Sequence, residues 1–126
     1  MRLAVHVYSI AKQLPATERF ELAAQMRRAA VSVPSNVAEG QAFGRGGRSR
    51  HHVRIALGSW AELASHLELV KSPRLLEPSR LVELEAQLDK TGQLLHGLLR
   101  SLRVEAVAKA GLAILLFAYS SVSLFT

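Results

Sequence analysis

Residues 81–102 of this 126-residue chain read LVELEAQLDKTGQLLHGLLRSL. Leucine, and once threonine, recurs there at alternating spacings of three and four residues, which aligns these side chains along one face of an α-helix. The aligned positions are Leu81, Leu84, Leu88, Thr91, Leu95, Leu98 and Leu102. A row of this length predicts a helix that opens at Pro78 and Ser79 and packs against other helices.

The same periodicity fills the chain upstream of this helix, and no segment alternates apolar and polar residues as a strand would. Residues 53–70 repeat the pattern and end at Ser72-Pro73. Residues 22–37 form a second segment that Thr17 is expected to cap, and residues 3–14 form the first. Four amphipathic segments with short connections predict an all-α fold, an antiparallel up-down four-helix bundle.

Two features interrupt the second segment. Pro34 lies inside it, and because proline lacks a backbone donor, the second helix is expected to be kinked near Pro34 or broken there into two pieces. Residues 40–47 contain four glycines and are therefore predicted to form a loop.

The charge of the chain is unevenly distributed. Residues 1–60 contain nine Lys or Arg and only three acids, so the whole net charge of +6 belongs to them. Eight of these nine bases are arginine, which makes flat, bidentate contacts with phosphate or carboxylate. The hydrophobic fraction of 49% is that of a globular protein, and the absence of cysteine excludes disulfides and thiol catalysis.

No residue pattern in the chain points to catalysis. Glu62 and His66 are i,i+4 neighbours that suit a surface or interface pair, and a single such pair does not make a metal site. Nucleophile and phosphate-loop motifs are absent from the sequence. We therefore expect no enzyme activity, no catalytic residue, no metal and no cofactor.

The arginines are the strongest functional signal. Those at 45–54 line the glycine-rich loop and the start of the third segment, and together with Arg27 and Arg28 they predict a basic end patch for phosphates. The candidate nucleic-acid-binding residues are Arg27, Arg28, Arg45, Arg48, Arg50, His51 and Arg54. The alternative is a solvated loop with structural Arg–Glu pairs, either to Glu39 or to a neighbouring subunit.

Residues 25–40, QMRRAAVSVPSNVAEG, closely resemble the signature of the four helix bundle protein family, also called 23S rRNA-intervening sequence proteins. The resemblance continues in Ile55-Ala56-Leu57-Gly58-Ser59, followed by Glu62-Leu63, and covers roughly residues 5 to 75. Two ordered blocks at matching spacing make this a specific match.

The resemblance implies a fold, an assembly and partners. The resemblance implies assembly into a homopentameric ring. Some members of the family are encoded within insertions in 23S rRNA genes, and none has a known enzymatic activity. A similar bundle is the accessory protein of diversity-generating retroelements, where it works with a reverse transcriptase. The chain is therefore expected to be a cytoplasmic homo-oligomer that binds RNA or DNA, or alternatively a structural or protein-interaction scaffold, for example for a reverse transcriptase, with its arginines in inter-subunit pairs.

Most of the signature also has an architectural interpretation. Pro34 bends the second helix, and Ser35 or Asn36 is expected to recap the chain by satisfying freed backbone donors. Gly58 is expected to admit a tight helix crossing opposite the bend. The signature residues interpreted as structural are Pro34, Ser35, Asn36, Glu39, Gly40, Gly58, Ser59 and Glu62.

The chain departs from the family pattern at three places. Relatives usually start earlier, whereas Met1 here falls inside the first helix, so the expectation is a chain truncated at its N-terminus or a misassigned start. Ser49 and His52 stand where relatives often have aromatic residues. Residues 104–126 form an apolar tail, predicted to extend helix four beyond a bundle of residues 1–103 or to pack on a neighbouring subunit. The alternatives are a disordered segment, an atypical reading of the end of the gene and, less favoured, a membrane anchor.

Overall fold

The computed structural model of the chain describes residues 2–18 and 20–123, with side chains to residue 120. Within these ranges four α-helices and one 3-10 turn account for the regular structure, and no strand is present. The helices are Arg2–Ala11 (α1), Leu22–Ala42 (α2), Gly47–Lys71 (α3) and Val82–Ser123 (α4), and the turn is Pro78–Arg80. The predicted all-α class is confirmed.

The start of α2 differs from the prediction. Thr17 does not cap this helix, which begins at Leu22 after Glu21, a residue whose side chain makes no capping bond. Residues 15–18 instead form a separate turn, in which the Glu18 N–H donates to the Pro15 carbonyl at 3.0 Å. The Thr17 prediction was wrong because this turn separates Thr17 from the helix.

The glycine-rich connection is shorter than the predicted loop of residues 40–47. Helix α2 continues through Gly40 to Ala42, and α3 already begins at Gly47. A Cβ at Gly40 would lie 3.2 Å from the Cβ of His52 and 3.3 Å from the Ser49 carbonyl oxygen. Gly40 therefore serves close packing of α3 against α2 rather than a turn.

Helix α2 is not broken at Pro34, which lies inside it. Around the proline, the Asn36 Nδ2 donates to the Ser32 carbonyl at 2.9 Å and to the Ser32 Oγ at 3.1 Å. Asn36 thus supplies a donor within its own helix, and the prediction that it satisfies freed backbone donors was wrong. Ser35 is exposed.

The core divides into three clusters along the bundle. The largest is built by α1, α2, α3 and α4 together, and its fully buried side chains include Val7, Met26, Leu63 and Leu84. The second joins Val33, Ala56 and Leu95 from α2, α3 and α4. The third joins α3 and α4 through Val53, Leu99 and Leu102. Helix α1 therefore contributes only to the first cluster.

Trp60 joins α3 to α4 between the first two clusters. Its Nε1 donates to the Leu88 carbonyl at 2.7 Å, and its ring lies against Gly92, which has no side chain to displace it. The His96 ring meets Trp60 edge-on, with centroids 5.9 Å apart. The close crossing thus involves Gly92, whereas Gly58 is exposed and a Cβ there would meet nothing within 4 Å. The predicted tight crossing at Gly58 was wrong.

Lys71 links the end of α3 to α4. Its Nζ donates to the Glu68 Oε1 at 2.8 Å and also pairs with the Glu85 carboxylate. These hydrogen bonds, to Glu68 and then to Glu85, raise the pKa of Lys71 to about 12 from an ordinary value of 10.5. The protonated ammonium is thus favoured by the folded state.

This linkage predicts a loss of stability in alkali. Because the folded state raises the pKa of Lys71, its contribution is fully present below pH 10.5 and is lost as the pH rises towards about 12. Urea unfolding across that window should show a falling free energy of unfolding, and the Lys71→Met variant should show a smaller fall. Equal slopes for the two proteins would contradict the linkage.

Helix α4 continues well past its last buried side chain. It has 42 residues, hence a length of about 63 Å, and among its side chains to residue 120 the last buried one is Leu102. The large apolar side chains from Val104 to Tyr119 are all more than half exposed. Over the part of the chain that the structure describes, no helix has a stretch both long and apolar enough to cross a membrane. The division into a bundle of residues 1–103 and a tail of residues 104–126 stays a prediction.

Candidate nucleic-acid interface

The connection between α2 and α3 presents most of the candidate arginines. Helix α2 ends at Ala42 with Phe43 as its C-cap, and Gly44 has a φ of +72°, a left-handed conformation that favours glycine. Gly46 is extended and precedes α3 without a side-chain capping bond. The first backbone N–H groups of α3 are therefore left without a side-chain acceptor at the positive end of the helix dipole.

Arg45 is held by α4 within the same chain. Its Nε donates to both carboxylate oxygens of Glu105, at 2.7 and 2.8 Å, and its Nη2 donates to the Ser101 Oγ at 2.5 Å. The hydrogen bond to Glu105 raises the pKa of Arg45, and the same bond lowers the pKa of Glu105. Arg45 thus joins the α2–α3 connection to α4. Of the seven candidate nucleic-acid-binding residues, Arg45 therefore already has an acidic partner, Glu105.

Arg48 is stacked on an aromatic side chain. Its guanidinium carbon lies 5.1 Å from the centroid of the Phe43 ring, and Phe43 stacks on His52 with centroids 5.6 Å apart. This contact orients the guanidinium over the end of α2 while leaving its donors available.

His52 anchors this stack to α2. Its Nδ1 lies 3.1 Å from the Asn36 Oδ1 and 3.4 Å from the Glu39 Oε2. Because the Asn36 amide nitrogen already donates to Ser32, its oxygen faces His52, and both neighbours of Nδ1 are acceptors. Nδ1 therefore carries the proton and donates. Glu39, the acid considered as an arginine partner, lies instead beside His52.

The remaining bases of the connection lie on the first two turns of α3. Arg54 and His51 are exposed and Arg50 is half-buried. Within residues 2–18 and 20–123, none of the ion pairs involves Arg48, Arg50 or Arg54. We call Arg48, Arg50, His51 and Arg54 the α3 basic surface. The segment from Gly40 to Ala61 also contains no acid.

Arg27 and Arg28 do not join this surface. Arg28 is 14 residues from Ala42, the last residue of α2, which at 1.5 Å per residue is about 21 Å along the helix. The Arg27 guanidinium lies over the Tyr8 ring of α1, 5.9 Å from its centroid, and its side chain is half-buried. The structure thus separates the predicted end patch into two parts.

The other signature residues occupy the α2–α3 contact or the surface. The Ser59 Oγ donates to the Ser32 Oγ at 2.7 Å, which joins the two helices near Pro34. Glu62 is exposed, and the Nδ1 of His66 is buried without a hydrogen-bond partner among the described residues, so the expected Glu62–His66 pair is not formed. The Nδ1 of His6 lies 3.2 Å from the Oε1 of Gln87.

Sequence patterns gave no signal for the partners of Arg45 or for the Trp60–Gly92 contact. Glu105 and Ser101 are distant in sequence from Arg45. No sequence pattern distinguishes Gly92 from other glycines in the middle of a helix. Among the residues described, no three His, Asp or Glu side chains come together as metal ligands. Four of the seven candidate residues thus lie together on the first two turns of α3, as the α3 basic surface.

Comparison with known proteins places the chain in a family. No curated protein matches the chain. Residues 1–97, which span α1, α2, α3 and the first part of α4, match the family described as 23S rRNA-intervening sequence protein. The match confirms the resemblance found in residues 25–40 and 55–63. The chain therefore belongs to the family of 23S rRNA-intervening sequence proteins.

Proposed function

We propose that the chain is a non-enzymatic, oligomeric four-helix bundle protein that binds nucleic acid, preferentially RNA, through the α3 basic surface. The observation that supports this most directly is the set of three arginines, Arg48, Arg50 and Arg54, that have no ion pair among the described residues. Guanidinium groups without carboxylate partners are available for phosphate oxygens.

The position of the α3 basic surface favours an anion in addition to its positive charge. The arginines lie at the start of α3, where uncapped backbone N–H groups and the helix dipole also favour an anion. Arg48 is oriented by Phe43, so part of its conformational freedom is already lost before a phosphate binds. The family name, which refers to insertions in 23S rRNA, favours RNA over DNA as the target.

The arrangement of the helices is part of this proposal. As residue numbers increase along α2, the residues that they contact on α3 have decreasing numbers. Ser32 contacts Ser59, Asn36 contacts His52, and Gly40 packs at Ser49. These contacts support an antiparallel up-down bundle. A bend of α2 at Pro34 follows from the missing N–H of proline. A homopentamer is the assembly that the family resemblance favours.

Salt-dependent binding tests the proposal. A fluorescently labelled RNA duplex should bind the full chain with an affinity that falls steeply between about 50 and 200 mM salt, because phosphate contacts release counterions. Changing Arg48, Arg50 and Arg54 together to alanine should weaken binding and reduce the slope of log K against log salt by about 2 to 3.

A control variant removes the same charge elsewhere. Lys12, Arg74 and Arg80 lie in or beside the α1–α2 and α3–α4 connections, and their joint replacement by alanine also removes three positive charges. This variant should keep the salt slope of the unmodified chain. Equal losses in the two triple variants would show attraction by net charge alone and would contradict a binding surface on α3.

A second candidate function is a protein-interaction scaffold, and the exposed apolar end of α4 favours it. In that case the arginines of the α3 basic surface pair with acids of another subunit or of a partner such as a reverse transcriptase. The triple arginine variant would then lose assembly, as seen by sedimentation, while RNA binding would be absent from the unmodified chain as well.

A further inference from the structure

Planar side chains stack at the connection between α2 and α3. The Phe43 ring lies nearly parallel to the His52 ring, with an angle of 17° between their planes, and the guanidinium carbon of Arg48 lies over the Phe43 ring, 5.1 Å from its centroid. The ring of His51 meets His52 edge-on, with centroids 5.7 Å apart. Flat side chains are thus collected beside the α3 basic surface.

Phe43 takes no part in the core. It is 48% exposed and belongs to none of the three core clusters found among the described residues. Its ring contacts are with Arg48 and His52, both polar side chains. A single exposed phenyl ring is ordinary on a protein surface, but one that already stacks with an imidazole and carries a guanidinium is prepared to take a further flat ring.

Phosphate-binding groups lie next to this stack. Arg50 and Arg54 are one turn apart on α3, and the Nη2 of Arg50 lies 3.8 Å from the position that a Cβ would take at Gly47. The guanidinium of Arg50 therefore lies at the first residue of α3, next to the connection. A nucleotide has both a phosphate and a flat base, and this end of α3 has a group for each.

We propose that the α3 basic surface binds single-stranded RNA, with an unpaired base stacked on Phe43 and the Arg48 guanidinium and the neighbouring phosphates on Arg50 and Arg54. The inference rests on the proposed function, since it names the kind of RNA that this surface takes. In a duplex the faces of the bases are covered by their neighbours, so a side chain reaches them only where the strand is unpaired. Aromatic rings and arginine guanidinium planes are the groups on which such bases stack.

Three RNA probes separate the bases from the phosphates. They are a labelled oligouridylate, an abasic strand with the same number of phosphates, and an RNA duplex of the same length. At one salt concentration the full chain should bind the oligouridylate roughly 5- to 150-fold more tightly than the abasic strand, because stacking of one base on an aromatic side chain contributes a factor of that size.

Substitutions at Phe43 test whether the ring is responsible. Phe43→Leu keeps an apolar side chain without the ring, so it should abolish the difference between the oligouridylate and the abasic strand. Affinity for the duplex and the salt slope should stay unchanged, because Arg48, Arg50 and Arg54 keep their charges. Phe43→Trp supplies a larger ring and should retain the difference between the two single strands.

A matched control makes the same change in another connection. Phe20 is 85% exposed shortly before α2, and Phe20→Leu should leave the affinities for all three probes unchanged. Both phenylalanines are exposed, so the variants should fold, as circular dichroism would show.

Equal affinities of the unmodified chain for the oligouridylate and the abasic strand would overturn the inference, and so would a Phe43→Leu variant that keeps the difference. In either case a steep dependence on salt would leave the proposed function intact, because phosphate contacts alone produce it. Failure of all three probes to bind would contradict the proposed function itself, and the inference with it.

Discussion

Replacing Leu63 by alanine is expected to lower the free energy of unfolding by about 2–5 kcal/mol. Leu63 is 1% exposed and lies in the largest cluster, where all four helices meet. The substitution removes buried methyl and methylene groups and leaves a cavity that neighbouring side chains fill only in part. Because a domain is ordinarily stable by about 5–15 kcal/mol, this is a large share of the total.

A matched substitution on the same helix isolates burial as the cause. Leu69 is 56% exposed on α3, and Leu69→Ala should change the free energy of unfolding by no more than about 0.5 kcal/mol. Urea unfolding of both variants at the same protein concentration makes the comparison, so that concentration does not differ between them. A loss of similar size in the two variants would contradict the position of Leu63 in the core.

The sequence predicted the helical class and most of the core because helix periodicity is a local property. The rows at residues 53–70 and 81–102 correspond to α3 and α4, and Leu84, Leu88, Leu95 and Leu102 of the second row are buried. Helix ends were less predictable. Gly40 is read as a loop residue from its own propensity, yet a contact with Ser49 and His52 retains it in α2.

The candidate site was predictable as a concentration of charge but not as a set of contacts. The excess of arginine around the glycine-rich connection is visible in composition alone. That Arg45 is held by Glu105, whereas Arg50 and Arg54 have no ion pair among the described residues, depends on how α4 passes the connection. Separations along the chain contain no information about that approach.

Gly92 and Gly58 give opposite predictions for one and the same substitution. At Gly92, a Cβ would overlap Cζ2 of Trp60 and lie 2.6 Å from its Cε2, so Gly92→Ala must displace the indole. Displacement strains or breaks the 2.7 Å hydrogen bond to the Leu88 carbonyl. We expect a net loss of about 1–3 kcal/mol, because overpacking outweighs the gain in helix propensity.

At Gly58 the same change should stabilise the chain. This glycine lies in the middle of α3, is exposed, and has nothing within 4 Å of the Cβ position. Alanine there gains about 0.5–1 kcal/mol, because glycine loses more backbone freedom when a helix forms.

The single tryptophan reports on both substitutions during urea unfolding. In Gly92→Ala the fluorescence of Trp60 should shift together with the loss of stability, since the ring leaves the α4 backbone. In Gly58→Ala the emission should stay unchanged while the midpoint rises. An equal rise in midpoint for both variants, with unaltered emission, would place the indole away from Gly92 and contradict the close crossing of α3 and α4 at that point.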